Sequence, residues 1–179
     1  DHRADRDNVT FLIDQTIEHI PAEMIVDSQM MQKLVSITAE HNIPLSDIKS
    51  FDEVKETSPE IANEFQESYK NNLKENLAEE IAFHAKWDAP YVFESVGRRI
   101  NSLYREIDEN DKADIIVSAA NILEKKRLTG EADMSKKDVS LSLANACVTI
   151  GFTEDRSVDA LDKAVEKNPQ VKDITDDMM

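Results

Sequence analysis

Apolar residues recur at intervals of three and four along most of the chain, and sustained apolar–polar alternation is missing. The pattern therefore predicts helices rather than strands. A first helix over about 8–20 places Val9, Leu12, Ile13, Ile17 and Ile20 on one stripe and stops at Pro21. A second, from Asp27 or Ser28 to His41, turns Met30, Met31, Leu34, Val35 and Thr38 inward. Pro44 opens a short helical piece carrying Leu45, Ile48 and Phe51. Thr57, Ser58, Pro59 and Glu60 then form a start signal, because a hydroxyl can cap free amides while Pro suits the first turn.

That signal opens the longest predicted helix, about 59–87. Its apolar positions Ile61, Phe65, Tyr69, Leu73, Leu77 and Ile81 are spaced by four at every step. A step of four overshoots the 3.6-residue turn by about 40°, so the stripe winds by about 200° and its two ends face different neighbours. Beyond Asp88 and Pro90, the stripe Val92, Phe93, Val96, Ile100, Leu103, Tyr104 and Ile107 predicts another helix, although Tyr91-Val92-Phe93 also has strand propensity. Asp111 is read as the cap of the next, with Ile115, Ile116, Ala119, Ile122 and Leu123 inward and Gly130 past its end. Ser135-x-x-Asp138 opens a helix carrying Val139, Leu143, Ala146, Cys147 and Ile150, closed by Gly151. Thr153 or Ser157 starts the last, with Val158, Leu161 and Val165 inward, and 170–179 is left as an acidic tail with at most one further turn. The fold expected is all-α: a multi-helix bundle of about seven helices and a short one, with one long central helix. It is read as a single domain over 1–179, with a division into helical subdomains 1–56 and 57–179 open.

Composition supports a packed chain. Leu, Ile, Val and Phe are 45 of 179 residues, above the roughly 20% level at which highly charged chains stay disordered. Three Gly and five Pro supply too few turns for a sandwich or barrel and no phosphate-cradling loop. One Cys excludes an internal disulfide and a Cys-based zinc site. Twenty-one Lys and Arg against 37 Asp and Glu give a net charge of −16, which disfavours nucleic acid and anionic membranes as partners. No apolar run approaches the roughly 18 residues of a membrane span. The expected compartment is the cytoplasm, with secretion or translocation open because the sequence begins at Asp1 rather than Met.

Places where chemistry could reside mostly have a plainer reading. None of the four His has a Glu three residues before it, as paired helical metal sites require. Glu80 and His84, one turn apart, could share a proton or half a metal site. An EF-hand loop counted from Asp108 would need Gly and Glu where Ala113 and Ala119 stand, so the acids there read as a capped, solvated turn. Cys147 lies on an apolar face as a small hydrophobe. Gly97 in mid-helix predicts a close helix crossing or a kink. Arg98, with Glu94 four residues before it, and Arg99 read as salt-bridged surface. Lys125, Lys126 and Arg127 suit a helix C-terminus. Residues 28–55 have a helix–turn–helix outline, but its second helix offers Asp47, Lys49, Asp52, Glu53 and Glu56, which phosphates would repel. No catalytic residue, cofactor or metal set is expected.

Two surfaces stand out for partner binding. Glu60, Glu64 and Glu67 share one strip, within a stretch from Asp52 to Glu80 that holds nine acids and three bases. Phe83, Trp87, Tyr91 and Phe93 gather beside His84 at a helix junction, where aromatics either fill a core or form a contact site. The partner-binding residues expected are Glu60, Glu64, Glu67, Trp87, Tyr91 and Phe93.

Near the end, Ile150-Gly151-Phe152, Ala160-Leu161 and Asn168-Pro169-Gln170-Val171 resemble the ubiquitin-associated domain over about 139–178. In that family a Met-Gly-Phe loop joins two helices and an Ala-Leu pair marks the second; here Ile stands in place of Met. The resemblance implies ubiquitin-associated-like binding by residues 139–178. The function expected from the residues is non-enzymatic: an acidic helical adaptor, inhibitor or immunity-type protein that meets another, basic protein. A helical enzyme or small-ligand bundle with a carboxylate site is the alternative. Partner identity and oligomeric state are left open.

Overall fold

The computed structural model describes residues 2–19, 28–86, 90–103, 106–152 and 155–178. Among them the chain forms nine α-helices and two 3-10 turns, with no strand: an all-α fold. They are α1 (His2–His19), α2 (Ser28–Glu40), α3 (Ser50–Thr57), α4 (Pro59–Lys86), α5 (Pro90–Ser102), α6 (Glu109–Leu128), α7 (Lys136–Thr149), α8 (Asp155–Lys167) and α9 (Lys172–Met178), with 3-10 turns at Leu45–Asp47 and Pro169–Val171. The backbone divides into two compact units, Asp1–Leu73 and Lys74–Met179.

In the first unit α1 lies against α2 and α3. It begins at His2, six residues before the sequence pattern indicates, and buries Ile13 and Ile17. Leu12, expected on the inner stripe, is exposed together with Phe11. Positions 13 and 17 are one turn apart, whereas Leu12 is rotated by about 100° from Ile13, so a narrow stripe leaves it outside. Asp14 ties α1 to the start of α3: the Ser50 amide donates to its carboxylate at 2.7 Å. The amide would otherwise be an unsatisfied first-turn donor. Asn42, at φ +53°, turns the chain out of α2 so that Ile43, Leu45, Ile48 and Phe51 enter the core. Tyr69 of α4 is 1% exposed and donates its hydroxyl to the Ile43 carbonyl at 2.7 Å. The rings of Phe51 and Phe65 are 5.3 Å apart.

Along α4 the stripe residues Phe65, Tyr69, Leu73, Leu77 and Ile81 are buried, as are Ala62, Ala78, Ala82 and Ala85, while Ile61, expected at the head of the stripe, is half-buried.

In the second unit α6 packs on α7 and α8, α7 packs on α5 and α9, and the stretch 91–93 is helical. Gly97 is where α5 meets α7: a Cβ there would lie 2.7 Å from the Thr149 carbonyl oxygen. The mid-helix glycine thus serves a close crossing. Two helix starts carry reciprocal caps. Ser135 and Asp138 bond each other's backbone amides at the head of α7, as the sequence indicates. At the head of α6 the cap is Asp108 rather than Asp111, which instead closes the box from the third helical position. Two acids three residues apart satisfy the same pattern from either side, and the earlier one wins because both amides are then met. Val158, expected inward, is 37% exposed, while Ser157, Ala160, Leu161 and Ala164 form the buried face of α8. Of the two outcomes open for 170–179, the helical one holds: Val171, Ile174 and Thr175 are buried, and Ser140 of α7 donates to the Ile174 carbonyl at 3.1 Å.

Candidate functional site

The acidic strip takes shape where α3 hands over to α4. The Ser58 amide closes α3 by donating to Val54, and the Ala62 amide donates back to Ser58, so the two helices meet with one residue between them. Phe51, Val54, Ala62, Phe65 and Tyr69 occupy the inner side. The remaining positions turn outward: Asp52, Glu53, Glu56, Glu60, Glu64 and Glu67 are all exposed. None of the six belongs to the ion pairs of the described residues. Lys55, the base among them, sits with its ammonium 5.3 Å from the centre of the Phe51 ring. The second helix of the helix–turn–helix outline therefore offers carboxylates outward.

The aromatic group is only partly within the described residues. Trp87 and the side chains of Tyr91 and Phe93 lie outside them. Phe83 is described, and it is 54% exposed rather than core, with its ring set edge-on to His84 at 5.4 Å between centroids. It lines a cleft of about 560 Å³ with Asn76, Glu79 and Glu80 from α4 and Ile122 and Lys126 from α6. Glu80 is not paired with His84 for proton sharing; its carboxylate binds Arg99 of α5. Nearer the start of the second unit in sequence, Lys74 reaches Asp114 at 2.7 Å and Asp111 at 3.3 Å. Burial would lower the Lys74 pKa, but the hydrogen bond and charge of Asp114, with those of Asp111, raise it overall.

Other candidates resolve into structure. Burial pushes the Cys147 thiol up to about 12, far from a thiolate nucleophile. Arg127 forks onto Glu124, with Nε to Oε2 at 3.0 Å, and holds that carboxyl below its usual range. The Glu94 side chain, expected beside Arg98, lies outside the described residues. The motif residues behind the ubiquitin-associated resemblance, Ile150, Phe152, Ala160 and Leu161, are all buried in the core of the second unit. Among the described residues no helix is long and apolar enough to cross a membrane.

Comparison with protein-family models, with curated proteins and with solved structures gives no match for this chain.

The strip follows from spacing in the sequence. The cleft does not, because one of its two apolar lining residues, Ile122, stands 39 residues beyond the other, Phe83, in the chain.

Proposed function

We propose that this chain is a non-enzymatic interaction module, of adaptor, inhibitor or immunity type, that binds another protein carrying a basic surface through the acidic face of α3 and the start of α4. The observation that supports it is the set of six exposed carboxylates, Asp52 to Glu67, outside every ion pair of the described residues. Glu60 and Glu64 are i,i+4 neighbours and Glu64 and Glu67 are i,i+3 neighbours. Each like-charge pair of this kind weakens a helix by about 0.2–0.5 kcal/mol. A basic partner converts that repulsion into attraction and speeds encounter through its long-range field. The net charge of −16 argues against nucleic acid in the same role.

The test is the triple variant Glu60→Lys, Glu64→Lys, Glu67→Lys. The wild-type chain recovers a partner by affinity capture, and association of that partner is then timed at several salt concentrations. The variant should keep its helical spectrum, associate at least about tenfold more slowly, and show a flatter salt dependence. An unchanged association rate would place the contact elsewhere.

A further inference from the structure

The cleft beside Phe83 belongs to the second unit and owes nothing to the acidic face; it shares with the preceding reading only the basic character of the partner. A volume of about 560 Å³ falls in the range of sites that hold a small ligand or a large side chain. Its lining is mixed in a specific way. Phe83 is a little over half exposed, and Ile122 on α6 supplies an aliphatic surface. Glu79 is exposed and, among the described residues, takes part in no ion pair, whereas the neighbouring Glu80 is already held by Arg99. Glu79 and Phe83 are one turn apart on α4, which puts their Cβ atoms about 5–6 Å from each other on one face. A free carboxylate therefore stands one turn before an uncovered ring, with an apolar wall opposite.

From this arrangement we propose that the cleft takes an arginine side chain from a basic partner protein. The guanidinium is planar and weakly hydrated. It can fork two N–H donors onto the Glu79 carboxylate while its face lies on the Phe83 ring and its methylenes pass along Ile122. A lysine ammonium, compact and strongly hydrated, satisfies the carboxylate but gains less from the ring and wall. Lys126 on the α6 wall sharpens the choice: it repels any cation as a point charge, so what remains in favour of binding is the stacking and the fork that arginine alone supplies.

The experiment uses the full chain, isotopically labelled for amide resonances, titrated with octa-arginine and with octa-lysine at about 0.15 M salt, where long-range attraction is largely screened. Octa-arginine should bind about two- to fivefold tighter than octa-lysine, the gain expected of a cation–π contact. Its shifts should centre on residues 76–83 and 122–126. Phe83→Ala, at an exposed position, should bring the two peptides to equal affinity without lowering the thermal midpoint. Glu79→Gln should weaken both, and Lys126→Ala should strengthen both while keeping the preference for arginine. Equal affinities in the wild type, or shifts confined to 52–67, would overturn the arginine cleft and leave the acidic face standing. Binding of neither peptide would overturn both readings.

Discussion

A methyl group at position 97 would meet the Thr149 carbonyl oxygen at 2.7 Å, and backbone cannot move aside as a side-chain tip can. On helix propensity alone Gly97→Ala would stabilise by about 1 kcal/mol. The crossing reverses that sign, and the substitution is expected to destabilise by about 1–3 kcal/mol through overpacking, read as a lower urea midpoint. Cys147 gives a second check at this scale. With its thiol pushed up to about 12 by burial, it should react with a disulfide reagent near pH 8 far more slowly in the native chain than in urea. Equal rates would show the helix face open. Lys74 adds a pH dependence whose direction is fixed by its partners. Its folded pKa is raised above the ordinary 10.5, so its contribution is complete below that value and is lost as pH climbs through the folded one. Stability should therefore fall more steeply in the wild type than in Lys74→Met only as pH rises above about 10.5. At neutral pH that variant removes the ammonium shared by Asp111, 6% exposed, and Asp114, and should cost about 1–3 kcal/mol.

At the level of elements, the head of a helix is the most local structure in this chain and the most readable. Ser135-x-x-Asp138 could be recognised from four residues because both hydrogen bonds of the cap lie inside them. At the head of α6, Asp108 and Asp111 both fit the pattern in sequence, and the second partner that distinguishes Asp111, Lys74, is 37 residues away. The same reason hid α9: Val171 and Ile174 look sparse until α7 lies over them and Ser140 meets the Ile174 carbonyl. The acidic strip was legible, since exposure of Glu60, Glu64 and Glu67 follows from burial of Phe65 and Tyr69 on the same helix. That Phe83 is open does not follow from its own stretch of sequence, because its surroundings include α6. Replacing Asp108 by Ala should cost about 1 kcal/mol, and Ser135→Ala a similar amount, each measured by denaturant unfolding. The Asp138 carboxyl is held below its usual range by the Ser135 amide and hydroxyl. The α7 cap accordingly keeps its full strength above the unfolded carboxylate pKa and loses it as pH falls through the lower folded value.

For the whole molecule the dominant long-range term is the excess of acids, 37 against 21 bases. Self-repulsion of that size opposes compaction and is screened by salt, because the Debye length shortens from about 30 Å at 0.01 M to about 8 Å at 0.15 M. The thermal midpoint should rise over that interval of sodium chloride, and a flat response would mean that the charges are locally balanced in the fold. Asp111 connects this scale to the smaller ones. Its carboxylate completes a cap with a residue three positions away and also binds Lys74 across a loop of 37 residues. The first contact closes on the timescale of a single helical turn, well under a microsecond, while the second must wait for a much longer segment to find its place. The two partners of one side chain thus act as clocks for different stages of folding. Substituting Asp108 should slow refolding if α6 belongs to the nucleus, whereas substituting Lys74 should chiefly hasten unfolding.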